Sequence, residues 1–174
     1  MSKSYKEIMP QISTFIFDVD GVLTNGIVHI STTGELTRAM NIKDGYALKT
    51  AIDLGYNICI ISGGANEGVR KRLEGLGIND IYLGVHNKMF QFKEYLEIKN
   101  ISPSEILYMG DEHFDMPLLK KAGFSATVKN ASYEVMDVVD YVTETEAGMG
   151  CAREVMDILR VVHDIKVSVE YFND

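Results

Sequence analysis

The chain has few cysteines: only Cys59 and Cys151 occur among its 174 residues. Two cysteines cannot form a framework of several disulfide bridges, and the sequence shows no zinc-binding spacing. Cys59 lies inside the apolar run NICIIS, so we expect its thiol to be buried and unpaired. The scarcity of cysteine excludes a small disulfide-stabilised scaffold and is typical of a reducing compartment, for which we predict the cytoplasm.

Long apolar runs and an excess of positive charge are also missing. The first residues, MSKSYKEIMPQ, lack the apolar region of a signal peptide, and no stretch approaches the length of a membrane span. The net charge of −8 and the pI of about 5.0 argue against binding to a nucleic-acid backbone. We therefore expect neither membrane nor nucleic-acid partners, although a local pocket can still bind a small anion.

No proline-, glycine- or serine-rich linker divides the sequence, and its length suits one domain, which we assign to residues 1–174. Short apolar runs alternate with helical patterns, a sequence order typical of parallel strands joined by helical crossovers. It predicts an α/β fold with a mainly parallel sheet and helices on both faces. The predicted strands lie within 12–18, 57–62, 80–85, 105–111, 124–128 and 140–143. The predicted helices cover about 44–54, 66–76, 87–99, 114–121, 132–138 and 150–164.

One segment, about 26–43, interrupts this alternation. Two strand-like pieces flank a turn that contains Gly34, which predicts a β-hairpin inserted after the first strand. An exposed hairpin has edges to protect, so self-association is plausible. Asp44, just after the hairpin, is expected to cap the next helix. The C-terminal tail, about 165–174, is expected to be an extended arm or to fray.

Residues 15–26, FIFDVDGVLTNG, form an apolar run that ends in two aspartates and a glycine. Because strand side chains alternate, Asp18 and Asp20 leave the strand on the same side of the chain. Two carboxylates this close repel each other unless a cation lies between them or one keeps its proton. The pair indicates a Mg²⁺ site, a nucleophile with a neighbouring general acid, or both. A solvated turn is the alternative for such a pair alone, but this pair has partners further along the chain.

Two of these partners suit an anion. Ligands of open α/β sheets bind beyond the carboxyl ends of the strands, and ISGG (61–64) ends a predicted strand there. Ser62 offers a hydroxyl, and Gly63 lets backbone N–H groups approach an anion at a helix N-terminus. Lys88 begins the helix after DIYLGV and brings a positive charge. Each feature is weak alone, since such turns and lysines are common without any ligand.

The acidic segment GDEHFD (110–115) follows another predicted strand and brings Asp111, Glu112 and Asp115 together. With Asp18 and Asp20 these groups would complete an oxygen-rich site for a hard cation. Together the motifs predict phosphoryl transfer. The cation and Lys88 would neutralise the phosphate, one aspartate would attack phosphorus, and the other would protonate the leaving oxygen.

The order DVDGVLT, Ser-Gly turn, lysine, GDxxxD resembles the haloacid dehalogenase superfamily of phosphatases, over the whole chain. This resemblance implies a Rossmann-like fold, an aspartyl-phosphate intermediate on Asp18, and Asp20 as general acid and base. It implies phosphate binding by Ser62, Gly63 and Lys88. It also implies a Mg²⁺ ion held by the Asp18 side chain, the Asp20 backbone carbonyl and Asp111, with Glu112 and Asp115 in supporting positions.

The hairpin followed by NIKDGYAL, the GVHNK segment and the late AGMGCARE resemble one family in particular, the 3-deoxy-D-manno-octulosonate 8-phosphate (KDO 8-phosphate) phosphatases of lipopolysaccharide precursor synthesis. That family lacks a large cap domain and forms homotetramers through its hairpins, and neighbouring subunits complete each active site. The resemblance implies the same substrate here. It also implies substrate contacts by Lys43, Asp44, Arg72 and Arg153.

Three departures bear on the substrate. Gly64 stands where many members have arginine and where a branch acting on nine-carbon keto-sugar 9-phosphates has glutamate. AGMGCARE and GDEHFD also differ from the commoner forms. A phosphatase for KDN or N-acetylneuraminate 9-phosphate is therefore the alternative. A receiver-type signalling domain is a more distant one, because its phosphorylated aspartate would end a middle strand, and the corresponding strand here ends in ISGG.

Overall fold

The computed structural model describes residues 5–162; the predicted tail at 165–174 and the last two residues of the final predicted helix lie outside the described residues. Six strands form one sheet in the order β5-β4-β1-β6-β7-β8, and every neighbouring pair is parallel. The α/β fold with a mainly parallel sheet is thus confirmed. The strands are β1 (Thr14–Phe17), β2 (His29–Ile30), β3 (Leu36–Thr37), β4 (Asn57–Ile61), β5 (Asp80–Tyr82), β6 (Ile106–Met109), β7 (Phe124–Thr127) and β8 (Tyr141–Val142).

Seven α-helices lie within the described part of the chain: α1 (Tyr5–Ile8), α2 (Ile42–Asp53), α3 (Glu67–Glu74), α4 (Lys88–Lys99), α5 (Met116–Leu119), α6 (Tyr133–Met136) and α7 (Cys151–Val162). Asparagine side chains cap three of them, because Asn41, Asn66 and Asn87 each accept a backbone N–H of the first helical turn. The prediction that Asp44 caps α2 is wrong. The helix begins earlier, at Ile42, where Asn41 Oδ1 accepts the Lys43 N–H at 2.8 Å.

Helices cover both faces of the sheet, as predicted. The alternation along β1 directs Phe15 and Phe17 into a core cluster with residues of α2, α3 and α7. Ile16 points the other way, into a cluster with residues of α4, α5 and α6. All four residues of β1 are buried, as expected for a central parallel strand. Cys59 is fully buried with a free thiol, which confirms that prediction.

The predicted hairpin is present: β2 and β3 pair antiparallel, and Gly34 takes a φ of +82° in the turn between them. Its apolar side chains are exposed, with Ile30 at 73% and Leu36 at 41% of their full accessibility. An uncovered apolar hairpin is what a self-association surface requires, and that association stays a prediction. Among residues 5–162, no helix has the length and apolar character that crossing a bilayer needs.

Candidate active site

The carboxyl edge of the sheet gathers the predicted site residues. Asp18 follows β1, Ser62 follows β4, Asp111 follows β6, and Lys88 begins the helix that follows β5. Parallel strands end at the same edge, so side chains far apart in sequence meet there. They surround an open pocket of about 640 Å³. Its walls include Asp18, Asp20, Ser62, Gly63, Gly64, Lys88, Asp111 and Glu112.

Lys88 lies between two carboxylates at the base of this pocket. Its Nζ donates to Asp18 Oδ2 and to Asp115 Oδ1, each at 2.7 Å. The Lys88 and Asp18 side chains are each 9% exposed, and the Asp115 side chain is fully buried. A cation at the first residue of a helix opposes the helix dipole, so α4 itself gains nothing from this lysine. The position of the lysine is explained by its contacts with Asp18 and Asp115.

The ion-pair network perturbs the pKa values of its members. Burial raises the pKa of Asp18, and the nearby Asp115 charge adds to this, while Lys88 lowers it less than the two together raise it. Burial lowers the pKa of Lys88, but the Asp18 and Asp115 carboxylates outweigh burial and raise the pKa overall. Lys88 therefore keeps its proton and presents a permanent positive charge to the pocket.

Asp115 is held by more than the lysine. Its Oδ1 also accepts the Tyr108 hydroxyl at 2.5 Å, and its Oδ2 accepts the backbone N–H groups of Asp111 and Glu112 at 3.2 and 3.3 Å. With four donors on one carboxylate, Asp115 has little capacity left for a metal ion. It fixes the turn that carries Asp111 and orients Lys88.

Asp111, unlike Asp115, has a carboxylate oxygen without a hydrogen-bond donor in the described part of the chain. Its Oδ1 is buried, and among the described residues no group hydrogen-bonds to it. Carboxylate oxygens of Asp18, Asp111 and Asp115 lie within 4.8 Å of one another. Burial, followed by the charges of Asp18 and Asp115, raises the pKa of Asp111 to about 7. A buried oxygen without a donor, next to other carboxylates, suits a hard divalent cation, which prefers oxygen ligands.

Gly21 allows the loop after β1 to lie close to Asp111. It lies in the wide helical turn Val19–Leu23 after β1 and has a φ of +86°. A Cβ atom at Gly21 would lie 2.0 Å from Asp111 Oδ2. Both the backbone angle and the close contact require glycine, so the DVDG motif and the GDEHFD motif fit together only with this residue.

Replacing Asp111 by asparagine is expected to stabilise the cation-free protein at alkaline pH. The folded pKa of about 7 exceeds the ordinary 3.8, so the folded state holds an extra proton between these values. The unfolding free energy therefore falls as pH rises through this range. Since the carboxyl is only partly buried, we expect a gain of about 1–2 kcal/mol at pH 8 and almost none at pH 4. Urea unfolding in chelator measures both; equal stabilities at pH 8 would mean that Asp111 has a stabilising partner.

Asp20 lies at the mouth of the pocket and is paired with an arginine of the hairpin segment. Arg38 Nε donates to Asp20 Oδ1 at 2.6 Å, and Arg38 Nη2 donates to Asp20 Oδ2 at 2.9 Å. The Arg38 side chain is only 10% exposed, whereas Asp20 is 36% exposed. The hydrogen bond to Asp20 is the largest contribution that raises the pKa of the Arg38 guanidinium, so Arg38 keeps its positive charge.

The remaining predicted site residues lie around this centre. Ser62 is buried and its Oγ accepts the Gly64 N–H at 3.4 Å, while Gly63 is exposed at the pocket wall. Glu112 is exposed and its carboxylate accepts the backbone N–H of His113 at 3.1 Å. It caps the short turn His113–Asp115.

The four predicted substrate contacts do not line the pocket of Asp18. Asp44 is 2% exposed, and its Oδ1 accepts the backbone N–H of Arg153 at 2.9 Å, so it caps α7 instead. The Arg153 side chain pairs with Asp157 at 2.7 Å, and a separate cavity includes Lys43 and Arg153. Arg72 is exposed in a groove beside the hairpin. Their roles as substrate contacts stay predictions.

Two side chains of the site were missed from sequence. Arg38 follows the hairpin strand β3, and only its position close to the DVD loop in the folded chain gives it a partner. Tyr108 lies inside β6 between apolar residues, and it resembles an ordinary core residue. The signal for Tyr108 was a polar hydroxyl in a strand that leads directly into GDEHFD, because a buried hydroxyl needs an acceptor.

Comparison with known proteins places this geometry among phosphatases. The sequence model of the haloacid dehalogenase-like hydrolase family matches residues 77–155. The Escherichia coli 3-deoxy-D-manno-octulosonate 8-phosphate phosphatase KdsC is 37% identical over 148 residues, which are 85% of this chain and 79% of that protein. A Moraxella catarrhalis KDO 8-phosphate phosphatase, solved with magnesium, phosphate and KDO, is 29% identical with a TM-score of 0.88 over 90% of each chain. The cobalt-bound Haemophilus influenzae enzyme is 28% identical, with a TM-score of 0.87 over 96% of each.

Proposed function

Because the chain belongs to the KDO 8-phosphate phosphatase family of haloacid dehalogenase-like hydrolases, we propose that it hydrolyses KDO 8-phosphate to KDO and phosphate. The observation that carries the proposal is the arrangement of Asp18, Lys88 and Asp111 around one pocket. Lys88 lies 2.7 Å from Asp18, and Asp111 presents an unpaired oxygen beside them. In this role the enzyme supplies KDO for lipopolysaccharide precursors, and we expect it in the cytoplasm.

Asp18 is the nucleophile in the proposed reaction. One of its carboxylate oxygens attacks phosphorus, and the bond from phosphorus to the sugar oxygen breaks. Asp20 gives a proton to that leaving oxygen and later takes one from the water that attacks the aspartyl-phosphate. Water cleaves the bond between Asp18 and phosphorus and releases inorganic phosphate, which returns both aspartates to their starting state. Asp20 must leave Arg38 to do this, because the ion pair holds both of its oxygens.

The phosphate group needs compensating positive charge. Lys88 supplies one charge at the pocket base, and Ser62 with the Gly63 backbone supplies neutral donors beside it. Asp18 and Asp111 would hold a Mg²⁺ ion through their side chains, and the Asp20 backbone carbonyl would add a third ligand. When bound, the ion supplies charge neutralisation and orientation of the phosphate. Asp115 and Glu112 support this arrangement by fixing Lys88 and the acidic turn.

The alternative substrates follow from the residues that depart from the family pattern. Gly64 differs from the arginine of many members and from the glutamate of the nine-carbon branch, so KDN and N-acetylneuraminate 9-phosphates remain the second candidates. The receiver hypothesis has less support, because β4, the strand next to β1, ends at Ile61 and is followed by Ser62 and Gly63, without a carboxylate. We expect the chain to form a homotetramer joined by its hairpins and to fold as one domain over 1–174. We also expect contacts to the substrate from four further residues: Lys43, Asp44, Arg72 and Arg153.

A substrate panel tests the proposal. Phosphate release is measured from KDO 8-phosphate, KDN 9-phosphate, N-acetylneuraminate 9-phosphate and simple sugar phosphates, with Mg²⁺ and with chelator. We expect KDO 8-phosphate to have the highest kcat/KM and chelator to abolish turnover. A higher kcat/KM for a 9-phosphate would select the alternative. Full activity in chelator would contradict the metal assignment, and stable autophosphorylation from acetyl phosphate without turnover would favour a receiver.

A further inference from the structure

Arg38 lies beside Gly64, a residue that has no side chain. Gly64 lines the catalytic pocket directly after the Ser62-Gly63 turn. A Cβ atom at Gly64 would lie 2.9 Å from Asp20 Oδ2 and 3.6 Å from Arg38 Nη2. The Asp20–Arg38 ion pair thus occupies the space that a longer side chain at residue 64 would enter. The absence of that side chain leaves room for the guanidinium beside Gly64, on the wall of the catalytic pocket.

The ion pair lies between two cavities. Asp20 lines the catalytic pocket, whereas Arg38 lines a groove of about 530 Å³ on the other side. The groove runs between the hairpin segment and α3, and its walls include Leu36, Met40, Asn66, Val69 and Arg72. Gly64 lines the catalytic pocket together with Lys88, and Arg38 lies directly beside Gly64, so a substrate with its phosphate at Lys88 would pass over Gly64 to contact the guanidinium. Arg38 is therefore placed to contact a part of the substrate other than its phosphate.

The guanidinium has donors left for a second anion. Its hydrogen bonds to Asp20 run through Nε and Nη2 at 2.6 and 2.9 Å and use two of its five N–H groups. Planar guanidinium groups recognise carboxylates in paired geometry better than they recognise hydroxyls. Arg38 is 10% exposed, and partial burial strengthens a contact with an incoming carboxylate, since water screens it less.

We propose that Arg38 binds the carboxylate of the substrate and so determines the preference for sugar-acid phosphates over neutral sugar phosphates. This inference rests on the proposed function and adds to it a specificity residue. The substrate carboxylate binds the remaining N–H donors of Arg38 and competes with Asp20 for the guanidinium charge, which weakens the ion pair and lets Asp20 reach the leaving oxygen. A neutral sugar offers no such replacement partner, so Asp20 stays paired more often and turnover is slower.

The test compares phosphate esters that carry a carboxylate with phosphate esters that have none. Arg38→Gln, Arg38→Lys and wild type are assayed with KDO 8-phosphate and 6-phosphogluconate, and with arabinose 5-phosphate and glucose 6-phosphate as neutral counterparts. We expect Arg38→Gln to lose about 10- to 100-fold in kcat/KM for the acids, mainly through KM, and less than about 3-fold for the neutral esters. Arg38→Lys is expected to recover part of the loss, because it keeps the charge but not the paired geometry.

A second variant and a control guard against a change in folding. Gly64→Ala places a methyl group against the ion pair and is expected to lower the acid-to-neutral ratio in the same direction. Arg70→Gln removes an arginine of α3 that pairs with Glu67 at 3.8 Å, and it should leave the ratio unchanged. An equal loss for acid and neutral esters, or no loss, would overturn the inference while the phosphatase stands. A wild type that hydrolyses no ester would overturn the proposed function as well.

Discussion

Asp18→Asn is expected to lower kcat for KDO 8-phosphate by at least roughly 10⁴-fold, because an amide does not attack phosphorus. The substitution keeps the size of the side chain but disturbs its contacts. Asp18 Oδ1 accepts the Val19 N–H and Oδ2 accepts Lys88 Nζ, each at 2.7 Å. An asparagine NH₂ group on either side would face a donor, so one of the two hydrogen bonds is lost.

The assay pairs steady-state phosphate release with trapping of the intermediate. Wild-type enzyme quenched in acid during turnover should carry an alkali-labile acyl phosphate, and Asp18→Asn should carry none. The matched control is Asp53→Asn, on the exposed end of α2, where Asp53 pairs with Lys49 at 3.6 Å. We expect the control to stay within about twofold of wild type. An Asp18→Asn variant with a tenth of wild-type kcat would place the nucleophile elsewhere.

Lys88→Met is expected to cost both activity and stability. Methionine keeps most of the length of the side chain but removes the charge between Asp18 and Asp115, two buried carboxylates. Breaking a buried ion pair from one side leaves the other charge uncompensated, and we expect a loss of about 3 kcal/mol in the unfolding free energy at pH 8. The loss should shrink as the pH falls, because burial raises the pKa of Asp18 and a protonated Asp18 carboxyl needs no cation beside it. Without the lysine charge, kcat/KM should fall by about 10³-fold.

Lys93→Met provides the comparison for this variant. Lys93 lies on the same helix, α4, and its side chain is exposed. We expect it to change the unfolding free energy by less than about 0.5 kcal/mol and to leave kcat/KM unchanged. Urea unfolding at pH 8 and at pH 5, with phosphate release at pH 8, measures all of these quantities. A similar stability for the two variants would contradict the description of Lys88 as a buried, doubly paired cation.

The central part of the site was predictable because it depends on local order. Asp18, Ser62 and Asp111 each follow an apolar strand, and the rule that parallel strands end at one edge is sufficient to bring them together. Lys88 follows the same logic, since it begins the helix after β5. The apolar alternation of β1 likewise predicted which faces of the sheet are covered.

The contacts that were missed depend on long-range packing. Asp44 looks like the cap of its own helix, yet its carboxylate caps α7, and Arg153, which it contacts, is 109 positions away. Arg38 lies in an exposed hairpin segment without a periodic signal, so no pattern indicates that it turns inward to Asp20. In both cases a side chain contacts a residue that is distant in the sequence. The spacing of residues along the chain does not indicate which distant residue will be contacted.

The most direct test of the central claim is a crystal structure with Mn²⁺ and beryllofluoride, which stand in for Mg²⁺ and for the phosphoryl group on the nucleophile. We expect beryllium bonded to an Asp18 carboxylate oxygen and manganese held by the Asp18 and Asp111 side chains. Lys88 should contact a fluoride. A beryllofluoride on any other side chain, or a manganese ion that does not contact Asp111, would contradict it.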